Sequence, residues 1–276
     1  MPSLYRGKIP IITRDLNEGF MRGVNPDVGF GCVPRDFAAQ PVEMRDSPDK
    51  MRVYPQSDWD ALYDKGEEAQ DSLEHIYLRA AEAGGFEFLD QNGFPDCWCH
   101  STAHAIMVDR LKQNLPYVKL NAVAAATLMG RTDGGWCGLS MKFARENGFP
   151  VCGTGPGRWP FQSRRGSDDA ALRANMAKFK DAEDWYDNAK QVYDQELSRL
   201  QLSTCLFDNF PSPSDYNEFG HSMLSLRWVR VEAGVWAPLT LNSWKGFGYH
   251  GLCVLLNRVP DSSCALRGST PSVLAA

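Results

Sequence analysis

The chain has 276 residues, 43% of them hydrophobic and 23% charged, which is enough apolar material for one sizeable core or two smaller ones. A formal net charge of -5 without a basic run leaves no electrostatic footprint for nucleic acid or for an anionic membrane surface. No apolar run is long enough to span a bilayer, and Met1 to Lys8 lacks the apolar core of a secretory signal, so a cytoplasmic or particle-borne protein with reduced thiols is expected.

In chain order, residues 1–56 are rich in Pro, Gly, Asp and Arg with little periodicity, and read as an extended N-terminal arm. Its apolar residues, Ile11, Ile12 and Phe20 among them, gain by docking on the rest of the chain or on a protein partner. Residues 57–89 form a helical extension: one long helix is predicted from Asp58 to Ala83, with Ser57 as N-cap and Gly84-Gly85 as the stop. Residues 90–204 read as a helical lobe. Gly93 and Pro95 impose a loop, then Ala103, Ile106, Met107 and Leu111 fall on one helical face until Pro116. Further helices are predicted over 119–129 and 139–147, the second closed by Asn147-Gly148, and, after a loop from Gly153 to Gly166, from Ser167 to about Leu202.

Residues 205–276 read as a β-rich lobe, with strands over 224–228, 235–241 and 252–256. Glu232-Ala233-Gly234 has the length of a hairpin loop. Folding the hairpin there sets residue 242 roughly opposite residue 224, so His221 and Asn242 come to the same open end.

Cys97 stands at the entrance of the first helix of the helical lobe, where unpaired backbone N–H groups and the helix dipole favour a thiolate. A thiol, an imidazole and a side chain to orient the imidazole are what nucleophilic thiol chemistry needs. The stretch from Gln91 through Cys97-Trp98-Cys99-His100-Ser101 resembles the active-site loop of the papain-like cysteine peptidases, with the glutamine six positions before the cysteine. Gly220-His221-Ser222-Met223-Leu224 is similar to that family's histidine strand, Asn242-Ser243-Trp244 to its asparagine motif, and Gly134-Gly135-Trp136 to its substrate-cleft glycines. The resemblance covers residues 90 to about 257. It implies an α+β fold of two lobes with the site between them, and hydrolysis of peptide or related amide bonds. In that reading Cys97 is the nucleophile, His221 the base and acid, Asn242 its orienter and Gln91 an oxyanion donor. Trp244 shields the site, Gly134 and Gly135 bind substrate, and no cofactor or metal is required.

Four features depart from the family. Phe94 stands where the usual disulfide cysteine precedes the nucleophile, Cys99 and His100 replace Ala and Phe, Gly220 precedes the histidine, and the arm has no counterpart. They leave a catalytically silent module open as an alternative, a structural or interaction component such as one of a virus or phage particle. Cys97, Cys99, His100 and His104 could instead read as metal ligands, the two histidines lying one turn apart, but no second ligand pair recurs downstream.

Overall fold

A computed structural model describes residues 4–13, 32–33, 53–91, 94–131, 133–152, 191–195, 199–244 and 246–268. The predicted loop from Gly153 and most of the helix after Ser167 lie outside them.

The predicted helix from Asp58 to Ala83 is two helices, α1 (Trp59–Ala69) and α2 (Leu73–Glu82). Gln70 breaks it: the residue sits in the left-handed region at φ 55° while its N–H closes on the Gly66 carbonyl. Ser72 then starts the next helix, accepting the His75 N–H on its hydroxyl, and Gly84-Gly85 closes it as expected, with the Gly85 N–H returning to the Ala80 carbonyl.

The helical lobe is built around α3 (Cys97–Lys112), with α4 (Ala122–Leu128) and α5 (Cys137–Asn147) packed on it. Every residue of α3 from Cys97 to Arg110 is buried, because α2, α4, α5 and the sheet enclose it. Its hydroxyls are satisfied locally or across the interface: Ser101 Oγ meets Ser222 Oγ at 2.8 Å, and Thr102 Oγ1 meets Ser140 Oγ at 2.6 Å. The α4 N-cap is Asn121, whose Oδ1 accepts the Ala124 N–H at 3.0 Å. Asn121→Ala is expected to cost about 1 kcal/mol in urea unfolding, the usual worth of such a cap.

The described strands form one eight-stranded sheet in the order β1-β2-β7-β6-β5-β4-β8-β3, where β1 is Leu4–Tyr5, β2 Ile9–Ile12, β3 Gln191–Gln195, β4 Ser212–Tyr216, β5 His221–Glu232, β6 Val235–Leu241, β7 Leu252–Leu255 and β8 Ser262–Gly268. The arm contributes two of them, and Ile11 and Ile12 pair in parallel with Val254 and Leu255. Gln191–Gln195, expected to be helical, is an edge strand on β8, and the next described helix is α6 (Arg199–Phe207), which straddles residue 205. The β5–β6 hairpin turns at Ala233-Gly234, with Gly234 at φ 73°, and two register shifts leave Leu241 opposite Leu224.

Trp59 of α1 fixes the helical extension to the sheet. Its ring meets Trp228 and Trp236 edge-on at 5.8 and 5.5 Å and Phe207 at 6.0 Å. Deeper, Arg227 of β5 reaches Glu74 at 3.0 Å and also pairs with Glu67, while Arg6 from the arm reaches the other Glu74 oxygen at 2.9 Å. One ion network, buried at Glu74 and Arg227 and open to solvent at Arg6 and Glu67, therefore ties the start of the chain, α1, α2 and β5 together.

Candidate active site

Cys97 is the first residue of α3. Asp96 caps the helix, and its carbonyl takes the Cys99 and His100 N–H groups at 2.9 and 3.1 Å. The sulfur is fully buried and accepts the Ser222 N–H at 3.3 Å, so the peptide that follows His221 lies directly against it. Helix and strand thus bring Cys97 and the His221 backbone together across the lobe interface.

His221 opens β5 and Asn242 follows β6, so the hairpin alone makes them neighbours. Their bond, His221 Nε2 to Asn242 Oδ1, is 2.8 Å. The amide orientation is fixed independently, because Oδ1 also accepts the Ser243 N–H at 2.7 Å, and a backbone N–H can only donate. Nε2 therefore carries the proton in the neutral ring, and Nδ1 presents a lone pair. Trp244 stacks on the imidazole with centroids 4.3 Å apart and planes at 24°, covering the bond from one side.

Gln91 is held from the same turn. Its N–H donates to the Ser243 carbonyl at 2.8 Å, Ser243 Oγ donates to its Oε1 at 2.8 Å, and its Nε2 donates to the Phe94 carbonyl at 2.6 Å. Ser243, a motif residue to which the sequence assigns no role of its own, thus couples the glutamine loop to the asparagine turn. Gly135 lies against Trp98, where a Cβ would come within 2.7 Å of the indole. Only glycine fits that contact.

All four polar groups are closed off from water: Cys97 is 0% exposed, His221 and Asn242 1%, and Gln91 2%. Part of the cover is the arm. Cys32 and Val33 cross between the lobes, the Cys32 N–H donating to the Gly220 carbonyl at 2.9 Å and the Val33 N–H to the Gly135 carbonyl at 2.8 Å.

This burial overrides the thiolate expected from the helix entrance. It pushes the Cys97 thiol well above the ordinary thiol range, with Asp215 and Asp96 adding to the shift and the Ser222 N–H opposing it. Burial likewise lowers His221 to about 4, against the Asn242 bond that favours its charged form. In the closed arrangement both groups are neutral at pH 7. A thiolate–imidazolium pair would give alkylation of Cys97 a plateau on the acid side of neutrality. The closed site admits no reagent, so alkylation goes through the opened cleft where that pair forms, and the iodoacetamide rate at Cys97 is expected to keep this plateau at a level lowered by the closing equilibrium.

The residues of the metal reading have other engagements. His100 Nδ1 meets the Asp96 carbonyl at 3.0 Å, and His104 Nε2 accepts the Leu89 N–H at 3.3 Å, with burial lowering His104 to about 3. Among the described residues no group of three His, Cys, Asp or Glu side chains is arranged to hold an ion. The other residue missed from sequence is Asp215, a fully buried carboxylate on β4. It accepts the Cys137 N–H at 3.0 Å and the Ser262 hydroxyl at 2.7 Å.

No family model and no curated relative matches the chain. Solved structures do. The chain is similar to a digestive procathepsin L 3 of the Tenebrio molitor larval midgut, at TM-score 0.57 and 14% identity over 93% of this chain and 82% of that one. It is also similar to a procathepsin B from Trypanosoma congolense, at 0.55 and 13% over 94% and 99%. A third is the proform of the ragweed pollen cysteine protease Amb a 11, at 0.50 and 14% over 65% and 62%. The chain has the papain-like fold, α+β in two lobes, and its structural neighbours are cysteine proteases.

Proposed function

We propose that the chain is a cysteine-type peptidase that hydrolyses peptide or related amide bonds in a peptide or protein substrate. The observation that carries this reading is the join at the lobe interface: the His221–Asn242 bond of 2.8 Å ends on the strand whose next N–H touches the Cys97 sulfur at 3.3 Å.

In this mechanism His221 Nδ1 takes the thiol proton and the sulfur attacks the substrate carbonyl carbon. The oxyanion that forms is met by the Cys97 N–H and the Gln91 side-chain amide. His221 then returns its proton to the leaving amine, and water, deprotonated by the same ring, releases the acid from the thioester. Asn242 keeps the ring turned and Trp244 keeps water from the Asn242–His221 bond. Gly134 and Gly135 allow the substrate backbone close approach. The sequence uses no cofactor. Before the first step the cleft has to open, because water entering it relieves the burial that holds thiol and imidazole neutral.

The test is hydrolysis of a fluorogenic peptide-amide mixture by the full chain, with Asn242→Ala expected to lower kcat/KM on the order of 100-fold through loss of imidazole orientation. Turnover by wild type that Asn242→Ala leaves unchanged contradicts the reading. A second reading, a silent module used for interaction, is favoured by one observation, the burial of all four groups, and predicts no turnover under any condition.

A further inference from the structure

Two thiols meet across the interface between the lobes. Cys137 opens α5 in the helical lobe and Cys264 lies on β8 of the sheet, 127 positions further along the chain, yet their sulfurs are 3.5 Å apart. Asp215 sets the two backbones in place. Its carboxylate accepts the Cys137 N–H at 3.0 Å and the Ser262 hydroxyl at 2.7 Å, and Ser262 precedes Cys264 by two residues, so both side chains leave β8 on the same face. Around that point α5 packs on β8, and both thiols are closed off from water.

The pair joins the elements that carry the reacting groups. On one side α5 is fastened to α3, where Ser140 Oγ meets the Trp98 carbonyl at 2.8 Å, next to Cys97. On the other, β8 pairs with β4 and β4 with β5, whose first residue is His221. In the reduced chain the ties at this point are hydrogen bonds to Asp215, which can part as the cleft opens. A covalent bond between the sulfurs cannot. A disulfide is about 2.0 Å long, so the two sulfurs need to approach by about 1.5 Å, which rotation about their Cα–Cβ bonds supplies.

We propose that Cys137 and Cys264 are a redox pair, reduced in the resting chain, and that hydrogen peroxide converts them to a disulfide that latches the lobes closed over Cys97. When the lobes part, peroxide reaches one of the two as its thiolate. The sulfur displaces hydroxide from the O–O bond and becomes a sulfenic acid, and the hydroxide leaves as water with the proton that the thiol gave up. On closing, the second thiol attacks that sulfur, and the S–O bond breaks with loss of a second water. Two thiols and one peroxide thus give one disulfide and two waters, and a dithiol reverses the change by exchange. The latch bears on access to the cleft and does not depend on catalysis.

The experiment therefore reads linkage and accessibility rather than turnover. The full chain is treated with a small excess of hydrogen peroxide, quenched with catalase, and divided. One part is digested without reduction, and a dithiothreitol-sensitive peptide pair holding Cys137 and Cys264 is expected. The other part is alkylated with iodoacetamide, and the rate constant is followed at the Cys97 thiols still present, so that any Cys97 consumed by peroxide does not count. That rate constant is expected to fall about thirtyfold or more, the low end of what a disulfide contributes when entered in the opening equilibrium, and to recover with dithiothreitol. Cys137→Ala and Cys264→Ala, each given the same peroxide, are expected to keep the rate constants of their untreated forms, and having both guards against a folding failure in one. A digest without the Cys137–Cys264 pair overturns the proposal. An unchanged rate constant in the linked chain overturns the latch, as does an equal fall in the two variants. Absence of peptide hydrolysis, with these results as expected, counts against the peptidase reading and not against the latch.

Discussion

Cys97→Ala is expected to remove peptide hydrolysis by a factor on the order of 10⁶, the whole covalent contribution, because no other described thiol shares its position. The sulfur alone combines the first turn of α3, the Ser222 N–H at 3.3 Å and the adjacent His221. Cys99, two residues on and 0% exposed, serves packing, so Cys99→Ala keeps activity within a few-fold while losing some stability. His221→Ala should be about as damaging as Cys97→Ala. The double variant should be no worse than either, since thiol and imidazole act as one unit. Steady-state kinetics on a fluorogenic peptide amide measure all four. Activity that survives Cys97→Ala and disappears with Cys99→Ala would place the nucleophile on the wrong residue.

The largest effect on stability is expected from Arg227→Met. Arg227 is buried, reaching Glu74 at 3.0 Å and the Tyr63 carbonyl at 3.2 Å, and Glu74 is 0% exposed. Burial pushes the Glu74 carboxyl upward while Arg6 and Arg227 pull it down. Removing Arg227 leaves Arg6, at 2.9 Å, as the remaining cation in contact with that carboxylate. Breaking such a pair from one side costs about 3–5 kcal/mol, far more than the intact pair contributes over an apolar replacement. The combined Arg227→Met, Glu74→Leu variant is therefore expected to recover most of the loss. Urea unfolding of the two variants separates the cases, and an equal loss in both would mean that the pair itself, not the stranded charge, supplies the stability.

The parts of the fold legible in the sequence are those in which local periodicity and tertiary environment agree. The β5–β6 hairpin is one: Leu224, Leu226 and Trp228 alternate, Gly234 marks the turn, and the pairing of His221 with Asn242 follows from counting back along two strands. The helix starts at Ser72 and Asn121 carry ordinary caps, although apolar residues on both sides of Ser72, Leu62 and Leu73, make a single helix look continuous there. What breaks the helix is a single residue, Gln70, adopting φ 55°, a choice its side chain does not announce.

Other parts had no local signal. The apolar face read on α3, Ala103, Ile106, Met107 and Leu111, is real but covers a fraction of what is buried. His100, Ser101, Thr102 and His104 go inside because partners on other elements or turns satisfy them. Ser-Pro-Ser-Asp-Tyr at β4 has the composition of a turn, yet all five residues are buried between β5 and β8. Asp215 was invisible for that reason. The arm was legible only as irregular. That two of its segments, Ile9–Ile12 and Cys32-Val33, find partners on β7 and in the cleft depends on residues more than 90 positions away.

The burial of the site also corrects a chemical expectation. A cysteine at a helix entrance is expected to ionise easily, and the N–H of Ser222 does pull Cys97 in that direction, but desolvation outweighs it while the cleft is closed. Reactivity is then governed by how often the cleft opens as well as by the dipole of α3.

In the proposed mechanism Cys97 and His221 work as one thiol centre. Its most direct test is labelling of the full chain with a peptidyl epoxide, followed by mapping of all eight cysteines, in wild type and in His221→Ala. An epoxide ring opened by a thiolate needs a proton for its oxygen, which the imidazole supplies. A single modified residue, Cys97, is expected in wild type, and its loss is expected in His221→Ala. Modification of a different cysteine, or of Cys97 at the same rate without His221, would contradict it.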